Sequence, residues 1–492
     1  MKRLALHAAL MALLCAAAWS FAACSRGEHC DEDVPHGTYM QVTIRTNGNA
    51  PRATRGPQGG EDGDGREWGF DNENEVKNVT LLLFRGAQGI NGGAGTVVEF
   101  ALYAPDMYKE ADGSYRSALL HYDTPLPVDD YHVLALVNVG DRTDLQGKTL
   151  GQVRDMVERQ PFEMDYAADG TPRVEKARNF VMTSARDVVF RMTYNAGIET
   201  PIRFGIPVER LAARVDFSPG PIAGDNAGGA SSGESLCEWV EKGTTVDTES
   251  GSVALPDGGY RYAVLDGATG QPSDDRFIMT GVTSFNCLNA GTYWFKRVMN
   301  DLGNYSGIVY LGDETTDTYG NATNCVLDPL IFLKQTTPSG RLPYRYPMGE
   351  DGVQLSGNSP WPVKSVSQLR DDSDDRSRCY RKDGLRYYVL DYLQENTLLP
   401  EMEKDRLASG LLISGYYGKA DGDGRLTYRP HDYYYYIRHA DPLNAVDESL
   451  PMKYGIVRNN IYRIHIESVN SLGHISIVVN DWRRIDVPEI QV

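Results

Sequence analysis

Arg458-Asn459-Asn460-Ile461-Tyr462-Arg463-Ile464-His465-Ile466, followed shortly by Ile475-Ser476-Ile477-Val478-Val479-Asn480-Asp481-Trp482, decides how this chain folds. In the first run Tyr462, Ile464 and Ile466 occupy every second position, which sets them on one face of a β-strand. The second run is denser in β-branched residues and leads through Ile485–Val492 to an apolar end. A terminal segment of that composition needs a sheet to join.

Working outward, the same period of two recurs near the start, where Met40, Val42 and Ile44 alternate with Gln41, Thr43 and Arg45. Further strands are expected at Val76–Phe84, Tyr131–Val139, Val188–Tyr194, Leu211–Phe217, Tyr260–Leu265, Tyr387–Leu393, Gly410–Tyr416, Tyr433–Ile437, Ile456–Val469 and Ile475–Val479. Val133-Leu134-Ala135-Leu136-Val137 is apolar without a break, the mark of a strand buried on both faces. Helical patterns are confined to Thr149–Arg159 and Leu398–Ala408. Short strands, abundant turn signals and almost no crossover helices predict an all-β chain of antiparallel β-sandwiches.

Two stretches break this pattern. Asn47–Gly65 is Gly, Pro, Asp and Arg with little that could be buried, so it reads as a protease-accessible loop holding Arg52 and Arg55. Gly220–Glu234 is polar and glycine-rich and reads as a loop within or near a domain junction. No internal repeat is present, and 492 residues suit two large domains.

The first residues give an address. Lys2 and Arg3 precede an apolar run from Leu4 to Trp19, too short to be a stable membrane span, and this reads as a secretory signal. Ser20-Phe21-Ala22-Ala23-Cys24 then has the form of a lipobox, which makes Cys24 the expected lipidation site. Each acyl methylene buried in a bilayer contributes about 0.8 kcal/mol, so two or three chains anchor firmly. No Asp follows Cys24 and an acidic cluster (Glu28, Asp31, Glu32, Asp33) comes soon after, which suits an outer-membrane destination. The formal net charge is −18, and removing residues 1–23 takes away two more positive groups. A surface so acidic, with no basic patch, argues against nucleic acid as a partner. Cys15 leaves with the signal; Cys30, Cys237, Cys287, Cys325 and Cys379 remain, an odd number with no CxxC spacing.

Catalytic signatures are lacking. There is no HExxH, no GxSxG and no phosphate-binding loop ending in Lys-Ser/Thr, so neither an enzyme nor a cofactor or metal site is expected. His431 and His439 flank a tyrosine run but would lie roughly 26 Å apart along a strand. Asp421-Gly422-Asp423-Gly424 and Glu61-Asp62-Gly63-Asp64-Gly65 lack the spacing and terminal glutamate of a calcium loop and read as turns. Tyr433–Tyr436 would send Tyr434 and Tyr436 to one face and Tyr433 and Tyr435 to the other; packing on both faces is preferred over exposed stacking on a sugar.

Several segments together resemble a known family. Ile456–Ile466 running on through Ser468-Val469 to Leu472-Gly473, a late Val479-x-x-Trp482, Glu209-Arg210-Leu211-Ala212-Ala213-Arg214-Val215, Glu395-Asn396-Thr397, and Thr38-Tyr39-Met40 leading to Thr54-Arg55-Gly56 occur in the order found in fimbrillins of the type V pilus class. The likeness is to the minor-fimbria major-subunit branch.

The resemblance implies two transthyretin-like β-sandwich domains in a lipoprotein that reaches the outer membrane. It implies cleavage after Arg55, with Arg52 as second choice, by an arginine-specific protease. The strand Tyr39–Arg45 (Tyr39, Met40, Val42, Ile44) would then leave, and a segment drawn from Ile475, Ile477, Val479, Ile485, Val487, Ile490 and Val492 of a neighbour would take its place. The expected division is a signal at 1–23, a removable segment at 24–55, an N-terminal sandwich at 56–206 and a C-terminal one at 207–492. Expected partners are further copies or related subunits, the outer membrane through lipid before processing, and a host protein or glycan.

One feature departs from the family pattern: Gly473 runs almost directly into Ile475, where relatives often carry a longer linker. A pilus anchor, a tip or accessory adhesin, and a surface glycan-binding lipoprotein therefore stand as alternatives to a shaft subunit.

Overall fold

The computed structural model describes residues 37–46, 69–86, 89, 93–166, 172–185, 187–193, 196–222, 237–285, 287, 292–299, 307–310, 364–365, 379–382, 384–395, 408–437, 456, 458–470 and 475–480. The signal, Cys24, Arg52, Arg55, the 398–407 helical reading and residues 481–492 lie outside them. The described residues form 29 strands, numbered β1 to β29 in chain order, and one α-helix. The chain is nearly all β, as its alternating patterns predict.

Ten strands, all between residues 38 and 210, make the N-terminal sheet. Its spine is β2 (Val79–Arg85) beside β7 (Asp130–Val137), flanked by β3 (Phe100–Ala104) and β11 (Met182–Ser184). Strand β13 (Ile202–Arg210) pairs with β11 through Val208–Arg210 and with β1 (Thr38–Arg45) through Ile202–Pro207. It thereby joins two arms of the sheet that close over a shared core of Met40, Val42, Ile44, Leu81, Leu83, Val133 and Val137.

The opposite face of the β2–β7 spine is also covered. Leu82, Phe84, Leu134 and Leu136 meet Leu150 and Val153 of the helix α1 (Leu150–Arg154), together with Trp294 and Phe295 from far along the chain. Burial on both faces accounts for the unbroken apolar run in β7. The helix starts at a capping box, Thr149 with Gln152, and is shorter than the Thr149–Arg159 pattern suggests, because Val157–Glu158 turn aside to pair with Thr292-Tyr293.

Thirteen strands, from β14 (Ala212–Ser218) to β29 (Ile475–Asn480), make the C-terminal sheet. Its longest members are β19 (Pro272–Phe285), β26 (Gly410–Ala420) and β27 (Leu426–Tyr436). Asp421–Gly424 is the β26–β27 turn: Asp421 Oδ1 accepts from the N–H groups of Asp423 and Arg425, and Gly424 takes φ +79°. That is turn chemistry, with the carboxylate spent on backbone.

Among the described residues pairing is mostly antiparallel, with four parallel strand pairs: β1·β13, β14·β28, β16·β27 and β18·β28 (β16, Thr245–Thr248; β18, Gly259–Leu265; β28, Ile461–Asn470). Strands β13 and β19 have no counterpart in the sequence reading. The first half of β19 holds Asp274, Asp275 and Arg276, which hide its alternation. No helix among the described residues is long and apolar enough to cross a membrane.

Candidate functional site

Strand β1 is an interior strand. On one side Met40–Arg45 run parallel to Ile202–Pro207 of β13. On the other, Thr38–Met40 pair with β6 (Leu120–Tyr122) and Thr43-Ile44 with β5 (Tyr115–Ser117), both antiparallel. Met40, Val42 and Ile44 are 0% exposed, and Tyr39 is buried in a stack on His121 with ring centroids 4.4 Å apart. Burying aliphatic side chains of this size stabilises by about 1.5–3 kcal/mol each.

The ladder leaves a gap between β6 and β5, and Ser117 closes it. Its Oγ accepts from the Val42 N–H at 3.1 Å, and its carbonyl accepts from Gln41 Nε2 at 3.2 Å. Thr38 Oγ1 accepts from the Leu126 N–H at 2.7 Å, and the Tyr39 N–H donates to the Ala196 carbonyl at 2.9 Å. Taking β1 away would open a slot with an apolar floor and unpaired backbone on both walls. Ser117 escapes a sequence reading, since nothing near it predicts that it faces Val42.

Strand β29 is placed differently. It runs antiparallel to β28, with Arg463 opposite Asn480 and Val469 opposite Ile475, and a bulge between Ile466 and Ser468. Among the described residues β28 is its one partner strand. Of the expected donor residues, Ile475, Ile477 and Val479 fall in β29, while Ile485, Val487, Ile490 and Val492 lie outside the described residues. The structure does not bring β1 and β29 together; they belong to different sheets.

Between the sheets lies a buried ionic cluster. Glu73, from the 3₁₀ turn Asp71–Glu73, accepts from Arg214 NH1 at 3.0 Å and from the Tyr392 hydroxyl at 2.5 Å. Arg214 also grips Asp216, NH2 to Oδ2 at 2.8 Å, and Tyr380 donates to the same carboxylate at 2.5 Å. Burial alone would push the Glu73 carboxyl up, but Arg214, Arg210 and the Tyr392 hydroxyl outweigh it and hold that carboxyl below its usual value. For Asp216 burial prevails over Arg214 and Tyr380, and its carboxyl is raised. A second cluster has Arg458 NH2 on Glu395 Oε2 at 2.8 Å and on the Tyr293 carbonyl at 2.6 Å. Both clusters use residues from the family-like segments. Their signal in the sequence was charge inside apolar strands, as in Arg214-Val215-Asp216-Phe217.

The remaining candidates take structural places. Tyr433 is buried edge-on to Phe277 at 4.8 Å, and Tyr434 and Tyr436 lie half-buried 5.8 and 5.6 Å from Phe285. Burial pushes the Tyr434 hydroxyl up to about 12. His431 is half-buried in β27, where burial and Arg429 lower its pKa; residue 439 lies outside the described residues. Among the described residues no three His, Cys, Asp or Glu side chains gather as metal ligands would.

Residues 427–488, which hold nearly all of β27 and the whole of β28 and β29, match a family described as "Major fimbrial subunit protein type IV, Fimbrillin, C-terminal". The match spans this C-terminal region alone, and over it the chain resembles fimbrial subunits. Solved structures similar to this chain include the tip fimbrial protein Mfa3 of Porphyromonas gingivalis with a C-terminal truncation, at 9% identity and TM-score 0.36, covering 90% of this chain and 100% of that one. A fimbrial assembly protein of Parabacteroides distasonis is similar at 8% identity and TM-score 0.31, covering 90% and 96%. Scores this low carry no argument of their own. No curated protein matches the chain.

Proposed function

We propose that this protein is a structural subunit of a cell-surface fimbrium that supports adhesion. It is exported as an outer-membrane lipoprotein with lipid on Cys24 and cut after Arg55, with Arg52 the second site. It polymerises when β1 is replaced by a C-terminal segment of the next copy. The division into a signal at 1–23, a removable segment at 24–55 and sandwich domains at 56–206 and 207–492 is part of the same proposal.

The observation that carries it is the setting of β1. Its apolar side chains line the core and its backbone is paired on both sides, while Arg52 and Arg55 follow it in sequence. Once cut, β1 is held by non-covalent contacts alone. Its departure leaves an acceptor for strand addition, in which main-chain hydrogen bonds give affinity and alternate side chains give register. The contact joins unlike surfaces, so it propagates instead of closing.

Mass spectrometry of assembled fimbriae tests this reading: the N-terminus is expected at Gly56, and finding lipidated Cys24 alone overturns it. A second reading, an anchor or tip subunit of the same family, draws on the short 471–474 connection between β28 and β29, which limits how far β29 could swing. Immunogold label confined to filament ends or bases would select it.

A further inference from the structure

The family-like segments Glu209–Val215 and Arg458–Asn460 have no part in the strand replacement itself, yet the fold ties them together. Asn459 turns the chain into β28 with φ +56°, a left-handed conformation that asparagine tolerates better than most residues. Its N–H donates to the Ala212 carbonyl at 2.8 Å, and its Oδ1 accepts from Arg210 NH1 at 3.1 Å. Next to it, the Asn460 carbonyl accepts from the Arg214 N–H at 2.9 Å.

Arg210 is the last residue of β13, whose earlier residues Ile202–Pro207 form one wall of the β1 slot. Its Nε donates to the Glu73 carbonyl at 2.8 Å and its NH2 to Asn74 Oδ1. One buried guanidinium therefore touches the slot wall's own strand, the 3₁₀ turn of the N-terminal sheet and the turn that launches β28. Strand β28 in turn holds β29. A planar fork that satisfies three acceptors at fixed angles sets position in a way that apolar packing does not.

We propose that Arg210 and Asn459 are positioning residues that lock the β1 slot to the strand carrying the C-terminal segment, so that acceptor and donor ends of one subunit keep a fixed relation. The consequence for assembly rests on the strand-replacement reading; the lock itself does not.

Hydrogen exchange on the full chain tests it, using Asn459→Gly, which keeps the left-handed backbone and removes only the side-chain acceptor, and Arg210→Lys, which keeps the charge and removes the fork. Losing a hydrogen bond to a charged group corresponds to about a tenfold rise in local opening. That rise is expected together at 208–214 and at 461–466, with the β26–β27 hairpin unchanged. The double variant should exchange more slowly than the product of the two single effects predicts, because the Arg210–Asn459 side-chain bond is lost in both.

A rise confined to the 459–461 turn, or effects of the two changes that multiply, overturns the lock. If Arg210→Lys does not fold, Asn459→Gly alone reads the outcome. In assembly, Asn459→Gly is expected to be cut after Arg55 as before but to lose filament yield. Full yield despite coupled opening overturns the assembly consequence and leaves the lock standing. An uncut chain points instead at the processing reading.

Discussion

Strands β1, of eight residues, and β29, of six, are both short and rich in apolar residues but opposite in setting. β1 has neighbours on both edges and sinks Met40, Val42 and Ile44 into a core, whereas β29 lies along β28 alone among the described residues. An interior strand gives up two ladders and its core contacts on leaving; an edge strand gives up one ladder. The difference teaches that the two ends of the proposed exchange need different triggers. β1 requires its chain to be cut before it can leave, while β29 needs only a competing edge.

Substitutions can break or sharpen that contrast. Val42→Asp should have the largest effect, destabilising the uncut chain by about 3–5 kcal/mol as an unpaired buried charge, measured by urea unfolding. Ser117→Ala should cost about 1–3 kcal/mol, because the buried Val42 N–H loses its acceptor. On the other side of the comparison, Ile477→Pro removes one donor from an edge strand and should cost the monomer no more than about 1 kcal/mol while abolishing filaments. Equal losses at Val42 and Ile477 would erase the distinction between the two strands.

The smallest effect is one of pH. The Glu73 carboxyl is held below its ordinary 4.5 in the fold, so its contribution is complete above that value and is lost as pH falls through the lowered one. Asp216 is raised, so its cost appears as pH climbs through the lifted value. The stability gap between wild type and Glu73→Gln should therefore be widest at pH above the ordinary 4.5 and narrow as pH falls below it. A gap that widens in acid would contradict this assignment.

Alternation made β1 and β28 readable from the sequence, an unbroken apolar run did the same for β7, and the Asp421–Gly424 turn was legible in its residues. What was not legible follows from two physical causes. The slot wall β13 pairs with β1 across some 160 residues of chain, and parallel register leaves no local mark. The Arg210, Arg214 and Asp216 side chains are buried although charge ordinarily signals solvent; the Arg214–Asp216 pair and the bonds of Arg210 to the Glu73 carbonyl, Asn74 and Asn459 make that tolerable. The helix beginning near Thr149 was visible, but its early end depended on the distant Thr292-Tyr293 strand.

The most direct test is a photo-crosslinker at position 477 in filaments grown from mixed isotopically heavy and light copies. The account predicts heavy-to-light crosslinks into residues 202–207 or 115–122 of another molecule. Crosslinks in assembled filaments only to the same molecule's residues 464–469 would contradict it.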